Sequence, residues 1–289
     1  MTTIAHQLCL VHDRIHAACR AAGRDPAGVR LLAVSKTFGA EAVIEAVAAG
    51  QRAFGENYIA EGVEKIAALQ HWQALETART GVAAPMLEWH CIGPIQSNKT
   101  RLVAENFDWV QSLDRLKIAQ RLSEQRPPDL PPLQVCLQVN IDGGANKSGL
   151  APEDALALAQ QVAQLPRLVL RGLMAIPEPA ADVAAACAVH ARTKALLDQL
   201  NASGLLPAPL DTLSMGMTGD LEAAVQAGST MVRVGTAIFG GRGQALSAKS
   251  QTALLSGDCA PPAPSDTPPA PAASAARQTK SPGTGRSLR

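Results

Sequence analysis

The sequence contains little of what marks membrane, secreted or nucleic-acid-binding proteins. None of its apolar runs approaches the roughly 18 residues that a membrane-spanning helix needs. Its first residues, 1–6, lack the basic start and the apolar block of a signal peptide. The formal net charge of +1 leaves no basic surplus for nucleic acid or for an anionic membrane surface. We therefore expect neither a nucleic acid nor a membrane among its partners.

Paired cysteines and metal-ligand motifs are also missing. The six cysteines are scattered without a CxxC pair, which argues against a disulfide framework and predicts reduced thiols in a cytoplasmic protein. His12 and His16 lie four residues apart on a predicted helix, but the glutamate of an HExxH motif and a third ligand are lacking. We expect no metal site.

Strand-like and helix-like stretches alternate along most of the chain, an order typical of a parallel sheet covered by helices. The predicted strands lie near 30–36, 51–55, 89–93, 109–113, 133–141, 168–176, 211–215 and 231–237, and the predicted helices near 40–49, 58–70, 98–107, 115–126, 151–165, 181–200 and 220–228. An open doubly wound sheet usually has fewer strands and a glycine-rich first turn. We predict an α/β fold, a single (β/α)8 TIM-type barrel with an extra N-terminal helix that runs to Ala22.

The composition changes after Gly243. Seven of the 20 prolines fall between Pro261 and Pro282, among Ala, Ser and Thr. Such a segment buries too little apolar surface to offset the entropy lost on ordering. We predict a barrel domain over 1–243 and a disordered Pro/Ala/Ser-rich tail over 244–289. Within the barrel, 71–87 forms the longest insertion and is expected to be a helix extension and a loop.

Lys36 stands at the carboxyl end of the first predicted strand. The four apolar residues Leu31–Val34 suit a parallel strand that is buried on both faces. An amine held in an apolar mouth loses its proton more readily and becomes a nucleophile. The alternative is that Lys36 only marks where the strand meets water.

The last two predicted strands end in small residues and hydroxyls. In a barrel, phosphate is often held by the loops after strands seven and eight. Ser214 and Thr218 follow the seventh strand and Gly235 and Thr236 the eighth, where hydroxyls and backbone N–H groups could receive a phosphate. Ser214 and Thr218 could equally be helix caps, and Gly235 could only relieve crowding.

Arg233 lies inside an apolar strand, between Val232 and Val234. An unpaired guanidinium there would be very unfavourable, so this side chain needs an acceptor. Period-two alternation places Arg233 and Gly235 on one face of the strand. With Lys36 and the phosphate loops, this arginine predicts a phosphorylated carbonyl compound bound as a Schiff base.

Several long stretches resemble one known family, the pyridoxal-phosphate homeostasis proteins, whose fold resembles the N-terminal barrel of alanine racemase. The stretches are AVSKT at 33–37, FGENY at 54–58, WHCIGPIQSNK at 89–99, RGLMAIP at 171–177, LSMGM at 213–217 and GSTMVRVGTAIFG at 228–240. The likeness covers about residues 5–242, in order. Many relatives carry a second lysine two positions after the first, where this chain has Phe38, while Lys147 is retained as an alternative amine.

The resemblance implies a cofactor, pyridoxal 5'-phosphate, and a role for each matching residue. Lys36 would form the internal aldimine, Asn57 would lie beside the ring, Arg233 would face the pyridine nitrogen, and Ser214, Gly235 and Thr236 would hold the phosphate with help from backbone amides near Met215. Arginine only donates hydrogen bonds, so the ring nitrogen would stay unprotonated, which makes a weaker electron sink than a pyridinium. No role follows for His90 or for 96–99, beyond a helix start at Asn98.

The resemblance therefore implies a non-catalytic protein that holds pyridoxal phosphate and takes part in its homeostasis or delivery, as a monomer that meets apo forms of enzymes using the cofactor. One alternative is an amino-acid racemase. That reaction needs acid/base groups on both faces of the cofactor. Tyr58 is the single tyrosine, so it is the one tyrosine that could be such a group. The other is a Schiff-base aldolase acting on a sugar phosphate, against which the motifs and Arg233 argue.

Overall fold

The eight predicted strands form a closed barrel. A computed structural model describes residues 2–144 and 147–241. Every strand within these ranges runs parallel to its neighbours in chain order, and the eighth closes on the first. The strands are β1 Arg30–Val34, β2 Ala53–Glu56, β3 Glu88–Cys91, β4 Trp109–Leu113, β5 Leu133–Val139, β6 Leu168–Ala175, β7 Thr212–Ser214 and β8 Met231–Val234. The predicted (β/α)8 barrel is confirmed.

Nine α-helices accompany these strands in the described ranges. They are α1 Ile4–Ala21, α2 Ala40–Ala48, α3 Ile59–Thr80, α4 Thr100–Asn106, α5 Leu116–Gln125, α6 Ala155–Ala163, α7 Val183–Ala202, α8 Leu221–Gln226 and α9 Thr236–Phe239. The predicted extra helix is α1, which begins where the Thr3 hydroxyl accepts a hydrogen bond from the amide of His6. Residues 71–80 extend α3, as expected for the first part of the insertion.

Alternate residues of β1 belong to two separate apolar clusters. On β1, Leu31 and Ala33 join the large core between strands and helices, whereas Leu32 and Val34 pack inside the barrel with Met231. This double burial explains why β1 reads as a continuous apolar run. Lys36 lies two residues beyond β1, at the carboxyl end of the barrel.

Close backbone contact fixes a glycine in β6. Opposite β5, Val135 pairs with Leu170 and Cys136 with Gly172, so Arg171 is the extra residue of a bulge. A Cβ atom on Gly172 would lie 1.7 Å from the carbonyl oxygen of Thr212 on β7. The spacing between β6 and β7 therefore requires glycine at this position.

The structure also bears on the thiols and on the chain ends. Cys19, Cys91, Cys136 and Cys187 are free thiols, as expected, whereas Cys9 is disulfide-bonded, so the expectation of reduced thiols is wrong at that residue.

No helix in the described part of the chain is both long and apolar enough to cross a membrane. The tail predicted over 244–289 lies outside the described residues and stays a prediction.

We expect Gly172→Ala to lower the free energy of unfolding by about 3 kcal/mol or more, because the new methyl group meets backbone that cannot move aside. Gly28→Ala is the control, since Gly28 is exposed and a Cβ there meets nothing within 4 Å. Urea denaturation of both variants measures the difference. Equal stabilities would show that β6 and β7 are less closely packed.

Candidate functional site

Four neighbouring strands bring the predicted site residues to one end of the barrel. In the closed sheet, β7 pairs with β8, β8 with β1 and β1 with β2. Lys36 and Asn57 follow β1 and β2, Ser214 and Met215 lie at the end of β7, and Arg233, Gly235 and Thr236 lie on or just after β8. All seven predicted residues therefore fall within half of the barrel, at or near its carboxyl end.

Lys36 is a half-buried amine at a strained turn. Within 2–144 and 147–241 its side chain has no hydrogen-bond or ion-pair partner. The next residue, Thr37, has φ 69°, a left-handed conformation that is unfavourable for a β-branched residue. A carboxylate oxygen of Glu61 on α3 accepts the amide hydrogen of Thr37 at 2.6 Å, which holds this turn in place.

A buried ion pair supports the strand end from behind. Lys65 Nζ on α3 lies 2.6 Å from Glu56 Oε1 at the end of β2, and their side chains are 3% and 0% exposed. The same ammonium donates to the carbonyl oxygen of Ser35 at 2.9 Å and lies 3.1 Å from Glu61 Oε1. Glu56 also accepts from the Ser35 hydroxyl at 2.6 Å. The residues immediately before and after Lys36 are thus both bound by this cluster.

Arg233 is buried in the barrel interior without a carboxylate partner. Its side chain donates from Nη1 to Ser214 Oγ at 2.7 Å and from Nη2 to the carbonyl oxygen of Ala175 at 2.9 Å. No ion pair joins it to a described residue. Burial lowers the pKa of Arg233 to about 10, so the group remains a cation at neutral pH. The predicted need for acceptors is met by neutral groups. The guanidinium is therefore bonded to no carboxylate, although Asp220 acts on its charge from farther away, and some of its five N–H donors stay free.

Asn57 carries an unpartnered polar atom. The residue is half-buried, and its Oδ1 is buried with no hydrogen-bond partner among the described residues. Its backbone is pressed against Gly93, where a Cβ would lie 2.0 Å from the Asn57 carbonyl oxygen. The loop after β3 therefore fixes the backbone of Asn57 and leaves the side-chain oxygen available to a ligand.

The predicted phosphate residues divide into two groups. Gly235 closely approaches β1, since a Cβ there would lie 2.9 Å from the Val34 carbonyl oxygen, and Thr236 is exposed at the start of α9. Met215 differs, because its side chain is buried in the outer core and its amide hydrogen is donated to the carbonyl oxygen of Met231. Met215 itself has no free donor, so an amide contribution must come from the residues that follow it.

A second set of polar residues in the barrel interior was not predicted. His90 on β3 is fully buried and contacts Glu88 and Gln111, and Gln111 contacts Ser214. The sequence assigned His90 no role. The argument applied to Arg233 would have found it, since His90 also stands between apolar residues of a strand. The predicted helix start near Asn98 is confirmed by a short 3-10 turn, Ser97–Lys99, that leads into α4.

Three further residues that the sequence analysis considered do not belong to this set. Phe38, two residues after Lys36, contacts Phe239 with ring centroids 5.3 Å apart. Lys147 donates to the carbonyl oxygen of Ile176 at 3.3 Å and is 26% exposed. Tyr58 is 55% exposed. Nowhere in the described ranges do three His, Cys, Asp or Glu side chains gather as a possible metal site.

The barrel fold identifies the broad class of proteins to which the chain belongs. Residues 12–243 match the family model described as "Alanine racemase, N-terminal domain", so the chain is a member of that barrel class. Relatives identify a narrower group. A pyridoxal phosphate homeostasis protein of Pseudomonas aeruginosa is 60% identical over 242 residues, 84% of this chain and 97% of the relative. Its Escherichia coli K12 counterpart is 53% identical, over 84% and 98%.

A solved structure agrees with this grouping. PipY of Synechococcus elongatus, whose structure has PLP (pyridoxal phosphate) bound, superposes with a TM-score of 0.65 at 36% identity, covering 82% of this chain and all of PipY. The chain belongs to the pyridoxal phosphate homeostasis protein family. The resemblance seen in the sequence is confirmed.

We expect Lys65→Met to lower the free energy of unfolding by about 3–5 kcal/mol, because it leaves the carboxylate of Glu56 buried without its partner. Burial already raises the pKa of Glu56 above its usual 4.5, despite Lys65 and Ser35, and the substitution raises that pKa further. A carboxyl group with a raised folded-state pKa loses stability as the pH rises above 4.5. The deficit should therefore shrink as the pH falls toward that value.

Lys194→Met is the matched control, since Lys194 forms an exposed ion pair with Asp198 on α7. Its loss should change stability by less than about 0.5 kcal/mol at any pH. Urea titrations between neutral and acid pH make the comparison. A Lys65→Met deficit that does not vary with pH would contradict the account of Glu56.

Proposed function

We propose that this protein binds pyridoxal 5'-phosphate through a Schiff base with Lys36 and holds it for intracellular homeostasis or delivery, without robust catalysis. The observation that carries the proposal is the pair formed by Lys36 and Arg233. One is an amine with no partner, and the other is a buried cation with no carboxylate. Pyridoxal phosphate supplies an electrophilic carbonyl for the amine and a ring nitrogen that can accept from the guanidinium.

The residues present fit this cofactor. The unpartnered Asn57 Oδ1 and the unused donors of Arg233 offer polar contacts to a ring. Gly235 and Thr236, with amides that follow Met215, are proposed to receive the phosphate at the carboxyl ends of β7 and β8. When bound, the cofactor supplies an electron-withdrawing ring conjugated to its imine.

Arg233 decides what chemistry the site favours. Because the pKa of Arg233, lowered by burial, is still about 10, its guanidinium is protonated at neutral pH and can only donate. The ring nitrogen facing it must then accept and stay unprotonated. A neutral ring stabilises a carbanion less well than a pyridinium paired with a carboxylate. The site is therefore proposed to retain the cofactor rather than to drive amino-acid chemistry.

The acid/base groups near the site also favour a carrier over a racemase. Racemisation needs a proton donor and a proton acceptor on opposite faces of the cofactor. Tyr58 is the single tyrosine, follows Asn57 and is 55% exposed. It is therefore the one tyrosine that could serve as a second base. A carrier that works as a cytoplasmic monomer and passes the cofactor to apo-enzymes remains the favoured proposal, with a racemase as the alternative.

We expect Lys36→Ala to abolish the visible absorbance band of the imine while leaving the free energy of unfolding within about 1 kcal/mol, because the amine makes no contact that the fold needs. Lys147→Ala is the control and should keep the band. Borohydride reduction followed by mass spectrometry of lysine peptides locates the modified residue. A full band in Lys36→Ala would assign the anchor to Lys147 or another lysine.

The carrier and racemase proposals differ in turnover. We expect the wild-type protein to show no racemase or transaminase activity on common amino acids but to restore the activity of an apo-enzyme that needs pyridoxal phosphate. Chiral chromatography of alanine and a coupled apo-enzyme assay measure the two properties. Racemisation at about 1–1000 per second, the usual range for enzymes, would overturn the carrier proposal. Tyr58→Phe would then test the second base.

A further inference from the structure

A continuous chain of hydrogen bonds runs through the barrel interior from β3 to Arg233. Glu88 Oε1 lies 2.6 Å from His90 Nε2, and His90 Nδ1 lies 2.8 Å from Gln111 Nε2. Gln111 Oε1 accepts from Ser214 Oγ at 2.7 Å, and Ser214 Oγ accepts from Arg233 Nη1 at 2.7 Å. The side chain of His90 and the residues Gln111 and Ser214 are fully buried. Water therefore has no ready access to the bonds that join His90, Gln111 and Ser214.

The two charged ends determine which group donates and which accepts in every hydrogen bond of this network. Arg233 only donates, so Ser214 must accept from it and give its own proton to Gln111 Oε1. At the other end Glu88 is ionised, since the hydrogen bonds from His90 and Arg30 and the positive charge of Arg30 outweigh burial and lower the pKa of Glu88. The carboxylate only accepts, so His90 carries a proton on Nε2.

The same constraint orients the amide of Gln111. With the amide reversed, its oxygen would face His90 Nδ1, and His90 would need protons on both nitrogens. Burial lowers the pKa of His90 and disfavours that cation. In the observed orientation Gln111 Nε2 donates to a neutral His90, whose ring stacks on Trp109 with centroids 5.1 Å apart and planes 12° apart. The amide, and with it the Ser214 hydroxyl, thus has a single consistent arrangement.

We propose that Gln111 is a positioning residue that, aligned by Glu88 and His90, holds the Ser214 hydroxyl and Arg233 in the arrangement that binds the cofactor ring. The inference deepens the proposed function and rests on it. It also changes the role of Ser214. Because its one proton is committed to Gln111, Ser214 serves Arg233 as an acceptor, and the donors to phosphate are left to Gly235, Thr236 and the amides after Met215.

We expect Gln111→Leu to weaken pyridoxal phosphate binding at least tenfold and to shift the absorbance maximum of bound cofactor, because Arg233 loses its oriented acceptor. Gln51→Leu is the matched control. Gln51 is also a buried glutamine, but it donates to the carbonyl oxygens of Leu31 and Ala53 away from the chain. It should alter stability while leaving affinity within twofold and the spectrum unchanged. Equilibrium titration followed by absorbance measures both quantities.

A second variant covers the case in which Gln111→Leu does not fold. His90→Phe keeps a ring against Trp109 but removes both nitrogens, so Gln111 loses its alignment, and affinity should fall about threefold. Wild-type affinity and spectrum in whichever variants fold would overturn the inference. Failure of the wild-type protein to bind pyridoxal phosphate would instead overturn the proposed function. In that case 15N NMR of the cofactor-free protein still tests the chain, which requires His90 protonated on Nε2 alone.

Discussion

The buried ion pair between Lys65 and Glu56 is the interaction on which the site geometry depends. Each charge alone would be very unfavourable in the interior, so the barrel is much more stable when the two side chains meet. Their meeting ties α3 to the ends of β1 and β2 through contacts with Ser35 and Glu61. Because Glu61 also binds the amide of Thr37, the direction of the turn that carries Lys36 follows from this one cluster.

The basic side chains at this end of the barrel differ in whether carboxylates pair with them. Lys65 is saturated by two carboxylates and a backbone carbonyl, as expected for a group that stabilises the fold. Arg233 has only neutral acceptors, and Lys36 has no partner within the described ranges. A buried guanidinium held only by neutral acceptors, together with an amine that has no partner, makes this end of the barrel a good candidate for ligand binding.

An apolar contact lies close to Lys36 in sequence. Phe38 lies two residues after Lys36 and contacts Phe239 at the end of α9, so it joins the segments that follow the first and last strands. Lys65 is the amine that the structure places beside this turn, since its Nζ lies 2.9 Å from the carbonyl oxygen of Ser35, but it is paired with Glu56 and Glu61. Lys147 lies in the loop after β5, where it donates to the carbonyl oxygen of Ile176.

The sequence by itself determined the barrel, the end at which its site lies, and the residues Lys36, Asn57 and Arg233 as candidates. The barrel, Lys36 and Arg233 follow from local periodicity, since apolar alternation sets each strand and parallel strands place their ends together. Asn57 follows instead from the resemblance of FGENY at 54–58 to the family. Only the tertiary structure decided which polar groups meet. Lys65 with Glu56, and His90 with Gln111, lie far apart in sequence or on different elements, and the bulged register of β4 against β5 has no local signature. Such pairings depend on how the barrel closes, so no single stretch of sequence contains them.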